Sequence, residues 1–340
     1  MLFVRHGAFP QRRIIMNNRY NLSIARVVKS VLAENRKWYH SLPAAVSSFA
    51  AARLPRREKE SCALRAVFAA DLHTDADPFR DRTDVLRRAF AGIRRDGDCD
   101  VLALCGDITN CGDEKEYALL LRLKRAYLGE MRVLPQMGNH DSWHHSDDPN
   151  YPLAARLFRH FCSDCGLVTE KNYYYATVKG FPFIVTGTEA LCHNKPTISD
   201  AQLDWLDKIL RKAVATGQPT FVLSHQPPEG RNGVTPEYHE AGMGDCSAAV
   251  DALLHKHAAT AKAPILFFSG HIHWLLPCCI EQAHDNLYYI NLPSLEYGGK
   301  GEPGCPAGTA ALVTVNGGSV TVTIRDFIHG KDIPGYLIQS

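Results

Sequence analysis

Five short apolar runs in this 340-residue chain each stop at a side chain able to hold a divalent cation. Asp71 and His73 follow Ala66–Ala70, and Gly106-Asp107 follows Val101–Cys105. Gly138-Asn139-His140-Asp141 follows Val133–Met137, His225 follows Phe221–Ser224, and Gly270-His271-Ile272-His273 follows Ile265–Ser269. Carboxylate, carboxamide and imidazole donors without thiolate suit manganese, iron or zinc at a reactive centre better than a structural zinc site. Taken singly, each element recurs by chance: Gly-Asn-His reads equally as a turn, and a lone strand-end histidine as a hydrogen-bonded surface residue. The repetition carries the meaning, because charged side chains gathered at strand ends are costly unless something pairs with them.

The elements between these blocks explain how residues remote in sequence could meet. Apolar runs alternate with amphipathic segments at Val85–Ile93, Tyr117–Tyr127 and near Leu153–Phe161, a βαβ rhythm, and Asp113 with Glu116 forms a capping box for the second helix. In such a sheet the carboxyl ends of the strands share one rim. A glycine just before the reactive residue suits a sharp turn there. Two further strands are expected at Tyr173–Val178 and Phe183–Gly187, and a helix at Ala201–Ala215 with Leu203, Leu206, Ile209 and Leu210 on one face. A strand at Thr220–Ser224, a long loop from Pro227 to Gly244 and a helix near Ala248–His257 follow. The last third holds the runs Leu275–Ile280, Leu287–Asn291, Ala310–Val315 and Val320–Ile324 on short connections, including Asn316-Gly317-Gly318, and reads as antiparallel strands.

Together, Asp71-x-His73, Gly106-Asp107-Ile108-Thr109-Asn110, Gly138-Asn139-His140-Asp141, Ser224-His225 and Gly270-His271-x-His273 resemble the calcineurin-like metallophosphoesterase superfamily. The resemblance spans about Arg65 to Ser294 and includes Gln202-Leu203-Asp204-Trp205-Leu206, similar to the helix before the fourth block. From Gly106 to Tyr117 the chain looks most like the branch containing class III cyclic-nucleotide phosphodiesterases. The resemblance implies a four-layer α/β/β/α sandwich and a metal-dependent hydrolase of phosphate esters. The expected substrate is a phosphodiester of a nucleotide or other small molecule, with phosphomonoesters as the alternative. Asp71, His73 and His273 are implied to hold one ion, Asn139, His225 and His271 the second, and Asp107 both. Two ions roughly 3.5–4 Å apart repel each other, and a shared carboxylate and a bridging hydroxide offset that repulsion, the hydroxide then attacking phosphorus. Manganese or iron is the expected metal, with zinc behind them. His140 is implied to protonate the leaving oxygen, with Asp141 orienting it.

Other residues carry weaker expectations. Trp143 and His144 are read as a wall of the substrate pocket, and Asn110 as a substrate contact or a holder of the loop before Asp113. Arg231, in the Pro227–Gly244 loop, is the residue expected to contact phosphate. A scaffold that keeps such a fold without chemistry needs no positioned proton donor, and His140 accompanies all seven ligand candidates, which favours an enzyme.

Charge divides the chain. Residues 1–60 hold twelve Lys or Arg against three Glu, whereas the remainder holds twenty-six against thirty-three acidic residues. Three regions are expected: a basic, helical extension over 1–60, a catalytic domain over 61–326 and a C-terminal tail over 327–340. In the extension Ile24, Val27, Val28, Val31 and Leu32 recur at helical spacing, which favours a helix packed on the main domain over contact with nucleic acid or an anionic surface. Organellar targeting by residues 1–33 and a start at Met16 are compatible with the same composition. No run approaches the roughly 20 apolar residues of a membrane span. Eleven cysteines, an odd count at irregular spacing, fit reduced thiols, and a cytoplasmic location is expected. The oligomeric state is not legible.

Overall fold

The computed structural model describes residues 62–77, 83–144, 150–232, 234, 242–273, 280–299 and 304–339. The expected extension over 1–60 lies outside the described residues, as do residues 235–241 of the Pro227–Gly244 loop and residues 275–279 of an expected strand.

Strand β1 (Leu64–Ala69) lies between β2 (Val101–Cys105) and β10 (Thr309–Asn316). β3 (Arg132–Gln136), β11 (Ser319–Asp326) and β12 (Lys331–Gln339) complete a sheet of order β12-β11-β10-β1-β2-β3. A second sheet has the order β4-β5-β6-β7-β9-β8. It is built from β4 (Tyr174–Val178), β5 (Phe181–Val185), β6 (Thr220–Leu223), β7 (Ile265–Ser269), β8 (Ile280–His284) and β9 (Leu287–Asn291). The strands β1-β2-β3 and β5-β6-β7-β9 run parallel, so each sheet brings several carboxyl ends to one rim.

Alternation along the strands builds the layers. Leu64, Ala66 and Phe68 of β1 meet Phe221, Leu223, Leu266 and Phe268 of the other sheet in a shared core, while Val67 and Ala69 point the opposite way. Phe68 stacks on Phe268 with ring centroids 3.8 Å apart and also touches Phe183 and Phe221. Replacing so buried a phenylalanine by alanine costs about 3–5 kcal/mol. Outside the first sheet lie α1 (Thr83–Arg95), α2 (Glu114–Leu128) and α4 (Tyr151–Asp164); outside the second lie α5 (Asp200–Val214) and α6 (Ser247–Ala258). On α1, Leu86, Ala89, Phe90 and Ile93 form the buried stripe that the helical period requires. The result is the expected four-layer α/β/β/α sandwich.

Several boundaries agree with the sequence because their local signals are strong. Glu116 accepts from the backbone of Asp113, and Asp113 caps α2 as the box predicts. Gly317 and Gly318, both with positive φ, close the β10–β11 hairpin between Asn316 and Ser319. Two expectations fail. The short helix α3 (Asn139–Trp143) was not foreseen, since its five residues are too few for a period to show. The region read as a C-terminal tail contains β12, paired with β11 at the sheet edge. Pro334-Gly335 masks that strand in the sequence, yet an edge position tolerates a proline, and Ile338 reaches the inter-sheet core.

Candidate metal centre

The strand ends deliver all seven expected ligand candidates to one place. Donor atoms of Asp71, His73, Asp107 and His273 lie within 4.8 Å of one another, and so do those of Asp107, His225 and His271. Asp107 belongs to both groups. Asn139 Oδ1 is 2.9 Å from His225 Nε2, which is also 3.1 Å from Asp107 Oδ2. The first sheet supplies Asp71, His73, Asp107 and Asn139; the second supplies His225, His271 and His273.

The backbone is bent to achieve this. Asp71, His73, Asp107, His271 and His273 all have positive φ, between 41° and 71°, a left-handed conformation that favours glycine and costs about 1–3 kcal/mol per residue. Backbone hydrogen bonds hold the bends: Asp71 N to Gly106 O, His73 N to Asp107 O and Gly270 N to His225 O. Two glycines make room for the crossing chains. A Cβ on Gly138 would stand 2.1 Å from Asp107 N, and one on Gly270 would stand 2.4 Å from Asp71 Oδ2.

The donor set fits cations. His73 Nε2 and His273 Nε2 approach to 3.4 Å while both face buried carboxylates, so lone pairs converge on a common point. Burial alone would push the Asp71 and Asp107 carboxyls up. His273 reverses that for Asp71, and His225 then His140 reverse it more strongly for Asp107, so both carboxyls fall below the usual range. Burial holds His73 down to about 4 and His271 down to about 3, which keeps their ring nitrogens unprotonated and able to bind metal. Burial also opposes a proton on His225, but Asp107 carries its value up to about 9. A proton there does for Asp107 what a cation would do. His225 Nδ1 lies 2.9 Å from Cys105 O, so an N–H donated to that carbonyl points Nε2 inward.

His140 sits at the edge of this cluster. Its Nε2 lies 4.0 Å from Asp107 Oδ2, its side chain is 24% exposed, and its ring is 4.6 Å from that of His73. The expected partner of His140 was Asp141, and the structure corrects this. Asp141 occupies the third position of α3, so its carboxylate turns back toward the preceding loop. It accepts from Gly138 N, Ile108 N, Thr109 N and Thr109 Oγ1, with Tyr117 OH at 3.4 Å. The group that orients His140 is the Asn110 carbonyl, 2.8 Å from Nδ1. Asn110 therefore serves through its backbone.

Arg231 also departs from expectation. Its guanidinium forks onto Asp251 at 2.9 and 3.0 Å, meets Glu281 at 3.0 Å and His255 at 2.8 Å, and lies over the Tyr289 ring. It has been taken up by α6 and β8, whose carboxylates match its planar fork. Trp143 does flank the site: its ring packs 4.0 Å from that of His140, and Nε1 donates to Cys192 O. His144 ends α3 in a left-handed conformation.

Sequence reasoning missed four supports. Ser294 Oγ donates to Asp71 O, and Asn291 Nδ2 donates to Gly270 O and Ser269 Oγ. The strand-end position of Asn291 was a usable signal. The Cys192 carbonyl, which receives Trp143 and Ser142, gave none. Neither did Tyr297, whose ring packs 5.5 Å from His73 and 5.8 Å from His273.

The profile of the calcineurin-like phosphoesterase family matches residues 64–275. The chain belongs to that family. This phosphoesterase is accordingly a metal-dependent hydrolase acting on phosphoric esters, and it carries a candidate metal-ligand cluster. Its fold is similar to that of a dimetal phosphatase from Danio rerio, at a TM-score of 0.52 and 15% identity, with 82% of this chain and 99% of the other covered. It is also similar to a purple acid phosphatase from yellow lupin seeds, at a TM-score of 0.54 and 15% identity, covering 83% of this chain and 54% of that one. No curated protein matches the sequence of this phosphoesterase. No helix among the described residues is long and apolar enough to cross a membrane.

Proposed function

We propose that this phosphoesterase hydrolyses phosphodiesters of nucleotides or other small molecules. Asp71, His73 and His273 would hold one ion and Asn139, His225 and His271 the second, with Asp107 shared, manganese or iron being the proposed metal and zinc the alternative. Two ions bound there supply the acidity that makes water a nucleophile at neutral pH and the charge that offsets the phosphate oxygens.

The chain's own residues supply the rest. An Nδ1–H donated to Asn110 O fixes the His140 ring and turns Nε2 to the open side of the cluster. From there Nε2 delivers a proton to the departing oxygen, a step worth about 10²–10⁴ in rate for a poor leaving group. Asp141 braces the two loops on which Asp107 and His140 ride. Trp143 closes one wall beside His140.

One observation carries the preference for diesters. Among the described residues, the charges acting most strongly on Asp71 and Asp107 are histidines and carboxylates rather than Lys or Arg, and Arg231 is engaged by Asp251 and Glu281. A monoester dianion asks for more positive charge than that; a diester monoanion asks for less. The resemblance of Gly106 to Tyr117 to diesterases agrees. Manganese-loaded protein should show a higher kcat/KM on bis(p-nitrophenyl) phosphate than on p-nitrophenyl phosphate, and should turn over cyclic nucleotides or glycerophosphodiesters. A preference for the nitrophenyl monoester reverses the reading.

A further inference from the structure

Among the described residues Tyr297 is the only Phe, Tyr or Trp side chain that stands exposed, at 52%. Its neighbours in the chain behave differently: Leu292 and Leu295 are fully buried. What sets this ring apart is its place: its centroid lies 5.5 Å from that of His73 and 5.8 Å from that of His273, both candidate metal ligands.

The turn that carries it is tightly held. Ser294 and Gly298 exchange both backbone hydrogen bonds, and Tyr297 N donates to Ser294 Oγ. Ser294 Oγ in turn donates to Asp71 O, and Leu295 N donates to Ala70 O, so the turn is tied to the strand end that bears Asp71 and His73. Gly298 sits at φ +75°, and a Cβ there would stand 2.2 Å from Cys305 O, which fixes the return of the chain. The ring is presented by a rigid mount beside His73 and His273, stacked on His273 at an interplanar angle of 26°. His73 is also the neighbour of His140, whose far side is packed against Trp143. The aromatic file therefore runs Tyr297, His73, His140, Trp143, with the proton donor toward the Trp143 end.

We propose that Tyr297 is a specificity-determining residue: a platform for a planar aromatic group on the arm of the substrate that stays bonded to phosphorus. The departing oxygen must lie by His140, next to Trp143, and the retained arm then extends along the file toward Tyr297. A flat ring stacks there without ordering a flexible side chain, because the mount is already rigid. This rests on the diester reading above for the identity of the retained arm, and the experiment separates the two.

The probes are phenylphosphonate and methylphosphonate, in which the retained group is bonded to phosphorus by carbon and nothing departs. Their binding to manganese-loaded protein is measured by calorimetry. The native protein should prefer the phenyl compound by about tenfold, the usual scale of one aromatic stack. Tyr297→Ala should reduce that ratio to near unity, and Tyr297→Phe should keep it. The ratio is insensitive to a general weakening of the site, which affects both compounds alike. Equal binding of the two phosphonates by the native protein, or a ratio unchanged in Tyr297→Ala, overturns the proposal. Hydrolysis of phosphomonoesters alone would leave no retained arm and would bring the proposal down with the diester reading, whereas diester hydrolysis with a ratio unchanged in Tyr297→Ala overturns the proposal alone.

Discussion

Two knots of charge in this protein look alike in a residue count and differ in how they are closed. One is the cluster around Asp71 and Asp107; the other joins Arg231 to Asp251, Glu281, His255 and Tyr289. In the second, each edge of the guanidinium meets an acceptor, and the adjoining left-handed backbone is confined to Asn232. In the first, the carboxylates face only imidazoles, whose charge comes and goes with a proton. Imidazole nitrogens approach one another at 3.4 Å, two buried carboxylates share histidines, and five residues hold left-handed conformations. The guanidinium knot is closed by fixed charges of the chain, whereas in the other a proton on His225 stands where a cation would act on Asp107.

The sharpest way to break this contrast is Asp107→Asn. An amide cannot serve two cations as a carboxylate does, so metal content should fall and turnover should drop by more than about a hundredfold. Elemental analysis and steady-state kinetics read both. Full metal content in the variant would place Asp107 with the structural carboxylates.

His140→Ala comes next. It should retain metal but lose about 10²–10⁴ in kcat on alkyl diesters, and much less on nitrophenyl diesters, whose leaving group needs little help. Equal losses on the two would remove His140 from proton transfer.

The smallest effect is expected at the other knot. Arg231→Met leaves Asp251 and Glu281 without their cation and should lower stability to urea by about 2–3 kcal/mol, while metal content and turnover hold. A loss of turnover without a loss of stability would return Arg231 to the phosphate, where the sequence first suggested it.

The metal cluster was legible because its signal is repeated: five strand ends, each with a ligand-competent residue, mark one rim, and parallel sheets must bring such ends together. The sandwich followed from the same rhythm. Partner choices were not legible. Whether Asp141 turns toward His140 or toward Gly138 depends on its place in a five-residue helix, and which carboxylate captures Arg231 depends on contacts with residues 20 and 50 positions away. Such choices are made by tertiary geometry, which spacing does not encode. β12 was hidden for a different reason, since a proline argues against a strand unless the strand is known to lie at an edge.

The rim is drawn from both sheets, and that has a consequence for the molecule as a whole. Asp71 and Asp107 come from one layer and His225 and His271 from the other, across a seam otherwise filled with aliphatic and aromatic side chains. An ion held by ligands from both layers would act as a rivet between them. Resistance to unfolding then becomes partly a property of the surrounding solution, rising with the logarithm of free metal once its concentration exceeds the dissociation constant.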